Sequence, residues 1–486
     1  MKKILFTAIF FIVLNQIKAQ NIPVVAISEA NTEYVKKLPL KGLGLSKELY
    51  KTTDSIEELK RNRETIRQKL SKKLQIVFEE NPLEYYDANS NLSFYFLVNS
   101  QNQIDSIYYG IFKMEVTQDS LSKRMMGRDV LKNKDLNSND VFLIEKNLNK
   151  IIKNLNLKNN ENSDYVLQAF VSLYNIKPVK SNEAISTLLK EKLDKLPDTT
   201  SKIVINDLGL SNFPKELYRF KDAKTIDLSN NRIKKLDIDI RKFPKLQAII
   251  LNKNYLNEKS IRFRKNNQIK YLNLSNNHFA VFPKRIYKNK MLEDLFISNA
   301  IIENFDPAKP KKYKHLKNLN LYNNEIDRIS TKIKYFNKLE VLDLYHNNLK
   351  ELPNEICDLS LLQTLAVSNN QLWKLPDNFW KMESLNMVYA HHNRLNTLPD
   401  LPKKLAFLDL GYNLFTEVPF VLKNNDSITE IDFSNNLLTL SPEIFLTINN
   451  LKKLFITNNE FKADARKFAD FEQIIVDLKK KSVEVK

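Results

Sequence analysis

The residues best equipped to touch a partner lie on a common interval. Tyr345 follows Tyr322 by 23 positions, and His391, His392 and Tyr389 follow Tyr345, His346 and Asp343 by 46 each. Phe407, Asp409 and Tyr412 continue the series after one shorter step. Aromatic rings offer wide contact area with little side-chain entropy to lose, and nearby carboxylates and imidazoles add directional hydrogen bonds, so the set suits recognition of another polypeptide. It does not suit chemistry. If one interval is one strand step, His346 and His392 stand roughly 10 Å apart, too far to share a metal ion. No His-Glu-x-x-His pair occurs, none of the six glycines opens a phosphate-binding loop, and the single Cys357 cannot build a thiolate zinc site. No cofactor, metal or catalytic constellation is expected, and so no enzyme.

The interval belongs to a phrase, L-x-x-L-x-L-x-x-N-x-L, that recurs twelve times between Leu208 and Asn459. It reads in full in Leu339-Glu-Val-Leu342-Asp-Leu344-Tyr-His-Asn347-Asn-Leu349. Its polar position falls at 208, 231, 254, 277, 300, 324, 347, 370, 393, 413, 436 and 459. A unit this short cannot bury its own apolar face, so successive coils must stack and share one core. Within each coil the L-x-L stretch alternates as a strand does, which predicts a parallel sheet and sends the intervening side chains onto one concave wall. The lane through Asp343, Tyr389 and Asp409 and the lane through Tyr322, Tyr345 and His391 are then neighbours, flanked by His346, His392, Phe407 and Tyr412.

The Asn column has a different task, because an amide carries both a donor and an acceptor for turn backbone that would otherwise be buried unpaired. Asn231, Asn254, Asn277, Asn324, Asn347, Asn370, Asn393, Asn413, Asn436 and Asn459 fill it, with Leu208 and Ala300 as departures. Leu-Pro pairs such as Leu352-Pro353 and Leu375-Pro376 follow the strands. Proline removes an amide donor, which suits a short extended return path on the outer face.

These repeats resemble the leucine-rich-repeat family. Leu352-Pro353-Asn-Glu-Ile356 resembles the disease-resistance and Ras-suppressor class, and the 20-residue coil around Leu398-Pro399-Asp-Leu401-Pro402 resembles the short repeats of secreted bacterial effectors. The resemblance implies an open solenoid of about twelve coils that binds a protein or peptide on its concave face. Effectors of that kind can carry a ubiquitin-ligase domain with a catalytic cysteine, but Cys357 lies inside a repeat and only a short tail follows the last coil.

The N-terminus has the form of an export signal: Lys2 and Lys3, an apolar run from Ile4 to Leu14, and Ala19 at a cleavage position. The expected organisation is a signal peptide at 1–19, an α+β domain at 20–180, the repeat solenoid at 181–462 and a cap helix at 463–486. The product would be exported to the periplasm, the cell surface or the medium. No later segment is apolar enough to span a bilayer.

The net charge of +19 is concentrated in residues 201–300, which hold 21 basic and 9 acidic groups. Clusters such as Arg241, Lys242, Lys245 and Lys284, Arg285, Lys288 fall outside the strands. They suit a solvated surface, or, as an alternative function, a cell-envelope adhesion role binding anionic glycan or lipid through the early repeats. No aromatics are expected to interleave with these clusters, which argues against nucleic acid.

Before the repeats, Ser55 to Phe78 has one apolar helical face, Leu92–Asn99 and Ile104–Lys113 read as a hairpin, 141–157 as a helix, and Asp164 to Tyr174 as a strand. The texture around Phe96-Leu97-Val98-Asn99 resembles the C-terminal domain of TonB-type energy transducers; an unassigned α+β cap fits the same order of elements. Helices are expected at Asn182 to Lys195 and Ala463 to Lys480, closing the two ends of the solenoid.

Overall fold

In the computed structural model the chain forms two compact units, Met1–Val179 and Lys180–Lys486. The structure describes residues 24–26, 70–75, 78, 90–98, 104–114, 128–130, 148 and 165–172 of the first, and 180–486 of the second apart from 265–267, 425, 440–441 and 462–464. The expected leader at 1–19 lies outside the described residues, as do most of the expected 141–157 helix and the start of the 55–78 helix.

In the first unit β2 (Ser90–Val98) and β3 (Ile104–Met114) pair antiparallel, and β5 (Tyr165–Ser172) runs antiparallel along the other edge of β2. Two short strands not read from the sequence, β1 (Val24–Ala26) and β4 (Arg128–Val130), add to β3. Strand alternation puts Phe94 and Phe96 on one face, where both are buried. The helical spacing of Leu70, Leu74 and Phe78 makes a buried stripe, and the Phe78 ring packs 5.8 Å from Phe94.

The second unit is built on thirteen parallel strands. They run from Lys202–Val204 through Thr225–Asp227 and Val341–Asp343 to Lys453–Phe455, with Glu484–Val485 last. The register never slips: Leu319, Leu342, Leu365, Val388 and Leu408 stand opposite one another in turn, all buried. A one-residue shift would turn that aliphatic column out to solvent, which is why the repeat holds phase. Between the strands the return path is made largely of short 3-10 turns, some begun near a proline, as Asn354–Asp358 and Phe379–Lys381 are, and others not, as at Thr331–Tyr335; no α-helix lies between the first and last coils among the described residues. One apolar core runs through the stack from Leu189 to Val483.

Both ends of that core are covered. Helix α1 (Asn182–Asp194) is capped by Ser181, whose Oγ accepts from the Ala184 N–H at 3.2 Å, and it buries Leu189 and Leu193. Gly209, at φ +89°, lets the first turn pass close to Ile185 of that helix. At the far end α2 (Ala465–Lys480) buries Leu478, and Phe471 stacks on Phe461 with ring centres 4.1 Å apart. The chain then returns as Glu484–Val485, which pairs with Lys453 and Leu454 and occupies the sheet edge; the sequence reading ended at the helix.

Candidate functional site

The strands Val341–Asp343, Thr364–Ala366, Met387–Tyr389 and Phe407–Asp409 each send their middle residue into the core and their flanking residues, half-buried, onto the opposite wall. Tyr322, Tyr345 and His391 stand in one lane of that wall, and Asp343, Tyr389 and Asp409 in the next, with Phe407 at the other edge of the strand.

The rings meet across coils. Tyr322 stacks on Tyr345 with centroids 5.5 Å apart and planes 16° from parallel. Tyr345 approaches His346 at 4.2 Å and His391 at 5.6 Å; His391 continues to His392 at 5.2 Å, and His392 to Tyr412 at 4.0 Å. Six of the expected contact residues therefore form one unbroken chain of rings over five coils. Tyr389 and Phe407 form a separate pair at 4.9 Å.

The chain skips a coil. Tyr345 and His391 belong to coils two apart, and Ser368 is the residue of their lane in between. It is small enough for the rings to close over it, so that it is fully buried, and its Oγ has no hydrogen-bond partner. Repeat phase places this serine in the wall lane, but its burial depends on rings from the two coils on either side.

His346, His392 and Tyr412 occupy a special backbone position. The residue before each ladder position takes a left-handed conformation, with φ between 51° and 60° from Asp207 to Asn458. Seven of those residues are Asn, the side chain that tolerates this region best after glycine. The two histidines and Tyr412, which is 50% exposed, are the exceptions within the ring chain.

The carboxylates have structural work as well. Asp343 Oδ1 accepts from the Tyr345 N–H at 3.0 Å and its Oδ2 from the Asn320 amide at 2.6 Å, while Asp409 Oδ1 accepts from the Gly411 N–H at 3.2 Å. Asp227, Asn273, Asn320 and Asp432 make the same local bond to the residue two positions on. This is an Asx turn closing these six strands, and the D/N-x-S/Y/G pattern in the sequence carried that signal.

Burial raises the Asp343 carboxyl above its ordinary range and pushes Asp409 up to about 6, where the Gly411 N–H opposes the rise and Asp432 adds to it. His391 is held below its usual value by burial and then by His392, whose Nδ1 lies 3.3 Å from its own. The 3.9 Å approach of His391 Nε2 to Asp409 Oδ2 is accordingly too long for a hydrogen bond and joins a neutral imidazole to a carboxyl pushed towards its neutral form. Among the described residues no group of three or more His, Cys, Asp or Glu could hold a metal ion.

Below the wall lie the asparagines. Asn347 Nδ2 donates to the carbonyls of Leu321 and Leu344, both at 3.0 Å, and its Oδ1 accepts from the Ile326 N–H at 3.0 Å. Asn254, Asn277, Asn370, Asn393, Asn413, Asn436 and Asn459 repeat the pattern. Asn231 accepts from three consecutive N–H groups, Leu208 to Leu210, and Asn324 serves Ile302 beyond the Ala300 gap.

With the repeat phase, the parallel sheet and these amides in view, the family follows. This is a leucine-rich-repeat protein. Residues 304–409 match the family model for a leucine-rich repeat region. Similar solved structures include a leucine-rich-repeat protein of Leptospira interrogans at 18% identity, covering 64% of this chain and 100% of that one with a TM-score of 0.39. The leucine-rich effector YopM of Yersinia pestis is 22% identical over 57% of this chain and 76% of its own, with a TM-score of 0.43. An internalin of Listeria monocytogenes is 17% identical over 62% and 93%, at 0.42. No curated protein matches the sequence.

The outer face corrects one expectation. Tyrosines do interleave with the basic clusters: Lys242 lies over the Tyr218 ring at 4.5 Å and Lys309 over Tyr287 at 4.9 Å. The tyrosines are separated from those lysines by more than twenty residues, so only the stacking of coils reveals the contact. Cys357 is buried and free, with its thiol pushed up to about 12 by burial. No helix among the described residues is long and apolar enough to cross a membrane.

Proposed function

We propose that this is an exported, non-enzymatic recognition protein that holds a protein or peptide partner on the concave sheet face of its solenoid. The ring chain from Tyr322 to Tyr412, flanked by Tyr389, Phe407, Asp343 and Asp409, is the observation that carries the reading. Stacked aromatics across strands contribute to sheet stability too, so the test must separate the two roles. Affinity capture from the cell envelope with the wild-type chain, and with a Tyr345→Ala/Tyr389→Ala variant beside it, does so. The expected outcome is a partner retained by the wild type and weakened roughly tenfold or more by the variant. Undiminished capture with a lowered melting temperature would assign the rings to stability instead.

A second reading, adhesion to an anionic glycan or lipid surface through the early repeats, is favoured by the Lys242–Tyr218 and Lys309–Tyr287 contacts. Salt separates them: that contact weakens steeply with ionic strength, whereas aromatic packing tolerates it.

A further inference from the structure

The inner wall is acidic in a protein that is strongly basic. From the strand Thr225–Asp227 to the strand Glu430–Asp432, the wall-facing positions contain Asp227, Asp294, Asp343, Asp409, Glu430 and Asp432 and no lysine or arginine, while the chain carries +19. Glu430 is paired with Lys453 at 3.5 Å. Among the described residues no lysine or arginine pairs with Asp227, Asp343, Asp409 or Asp432. Asp409 and Asp432 stand directly opposite each other in the register, so two carboxylates share one strand step. Like charges that close repel unless a cation joins them.

A second feature lies in the same stretch. The Ser368 hydroxyl, fully buried between Asp343 and Asp409 along the wall, has no partner, and an unsatisfied buried hydroxyl is costly to keep. A ligand donor that parted the Tyr345 and His391 rings would supply one. The exposed faces of Tyr322, Tyr345 and Tyr389 around it are surfaces on which a guanidinium or ammonium is attracted to the ring.

Resting on the recognition role proposed above, we infer that the bound segment is an extended, positively charged stretch of polypeptide, its lysine or arginine side chains seated on Asp343 and on the Asp409–Asp432 pair while its backbone crosses the tyrosines. Strand spacing sets the cation separation. Asp343 and Asp409 lie three strand steps apart, roughly 14 Å, which an extended chain spans in about four residues; an even number places both side chains on one side.

The full chain, used to select from a phage-displayed random dodecapeptide library, tests this. Enriched peptides should carry net positive charge, with two cations about four residues apart. Their affinity should fall roughly tenfold or more in Asp409→Asn/Asp432→Asn and as KCl is raised. Asparagine already makes the same turn bond at Asn273 and Asn320, so this variant keeps its fold, which a melting curve checks. Enriched peptides that are neutral or acidic, yet lose binding in Tyr345→Ala/Tyr389→Ala, would overturn the charge inference and leave the recognition role standing. Peptides indifferent to both variants, or no enrichment at all, would overturn both.

Discussion

Asn347→Ala tests how the coils are joined, and the structure sets its size. Truncation removes the Oδ1 that accepts from Ile326 and the Nδ2 that donates to Leu321 and Leu344. The two carbonyls are shared, however. Leu321 O also receives the Asn324 amide and Leu344 O the Asn370 amide, each at 3.0 Å. Only the Ile326 N–H is left with nothing, at a cost of about 1–3 kcal/mol, and each of the two shared bonds lost adds about 0.5–1 kcal/mol, for a total of about 2–5 kcal/mol. A unit of roughly 300 residues unfolds with an entropy near 0.6 kcal/mol/K, so the melting temperature should drop by about 3–8 °C.

Thermal melting followed by circular dichroism reads the total, and amide hydrogen exchange at Ile326 reads the orphaned donor. A melting temperature within 1 °C of wild type together with an Ile326 amide still protected would refute the reasoning. Loss of protection without loss of stability would show that water replaces the amide, and that the shared carbonyls carry no net energy.

Ala300→Asn is the reverse experiment: by the geometry of the other coils it gives the Phe279 N–H an acceptor and donates to the Leu274 and Ile297 carbonyls, so stability should rise by about 1–2 kcal/mol in the same melt. A fall would mean that the buried Ala300 site has no room. Asp409→Asn should act through pH. The native carboxyl, raised from 3.8 to about 6, binds its proton more tightly than the unfolded chain does, so its contribution to stability is full below pH 4 and lost as pH rises through 6. The variant should thus gain on wild type by up to about 3 kcal/mol at pH 7 and by only about 0.5 kcal/mol at pH 4; a constant difference across that range would contradict the assignment. Tyr412→Asn should stabilise by about 0.5–1 kcal/mol while weakening partner capture, and a loss on both counts would place Tyr412 in the fold rather than the interface.

Much of this was legible because the alternation of buried and half-buried residues is written afresh in every coil, and a phase error in one would be contradicted by its neighbours. Leu342, Leu365 and Val388 fall into one column on pattern alone. What could not be read is what happens between coils. Ser368 matters only because Tyr345 and His391 reach across it, and Lys242 meets Tyr218 only because two return turns stack. Asp343 and Asp409 were legible as wall residues, but their turn bonds make them parts of the strand ends first. A carboxylate can do both: at Asp409 one oxygen closes the turn and the other remains for a partner, and at Asp343 the second oxygen, which accepts from the Asn320 amide, keeps a further lone pair. Glu484–Val485 escaped because two residues carry no periodicity.

The left-handed column bears most directly on function. At every coil the chain must turn out of the strand with φ near +55°, and Asn does this at least cost. Replacing it by a bulky residue raises the backbone energy, and burial could offset that only if the side chain were packed away. Tyr412 is half exposed, and His346 and His392 are exposed as well. Their rings do touch neighbours, and those contacts return part of the cost, but Asn369 and Asn435 on adjacent coils hold the same turn without any ring. Four positions of the column therefore depart from Asn or Asp: Lys253, at φ +56°, in the early coils, and His346, His392 and Tyr412 at the rim of the same aromatic wall. Three of the four gather at one rim, with little burial at Tyr412 to offset the cost, and that clustering supports the contact role proposed for the wall.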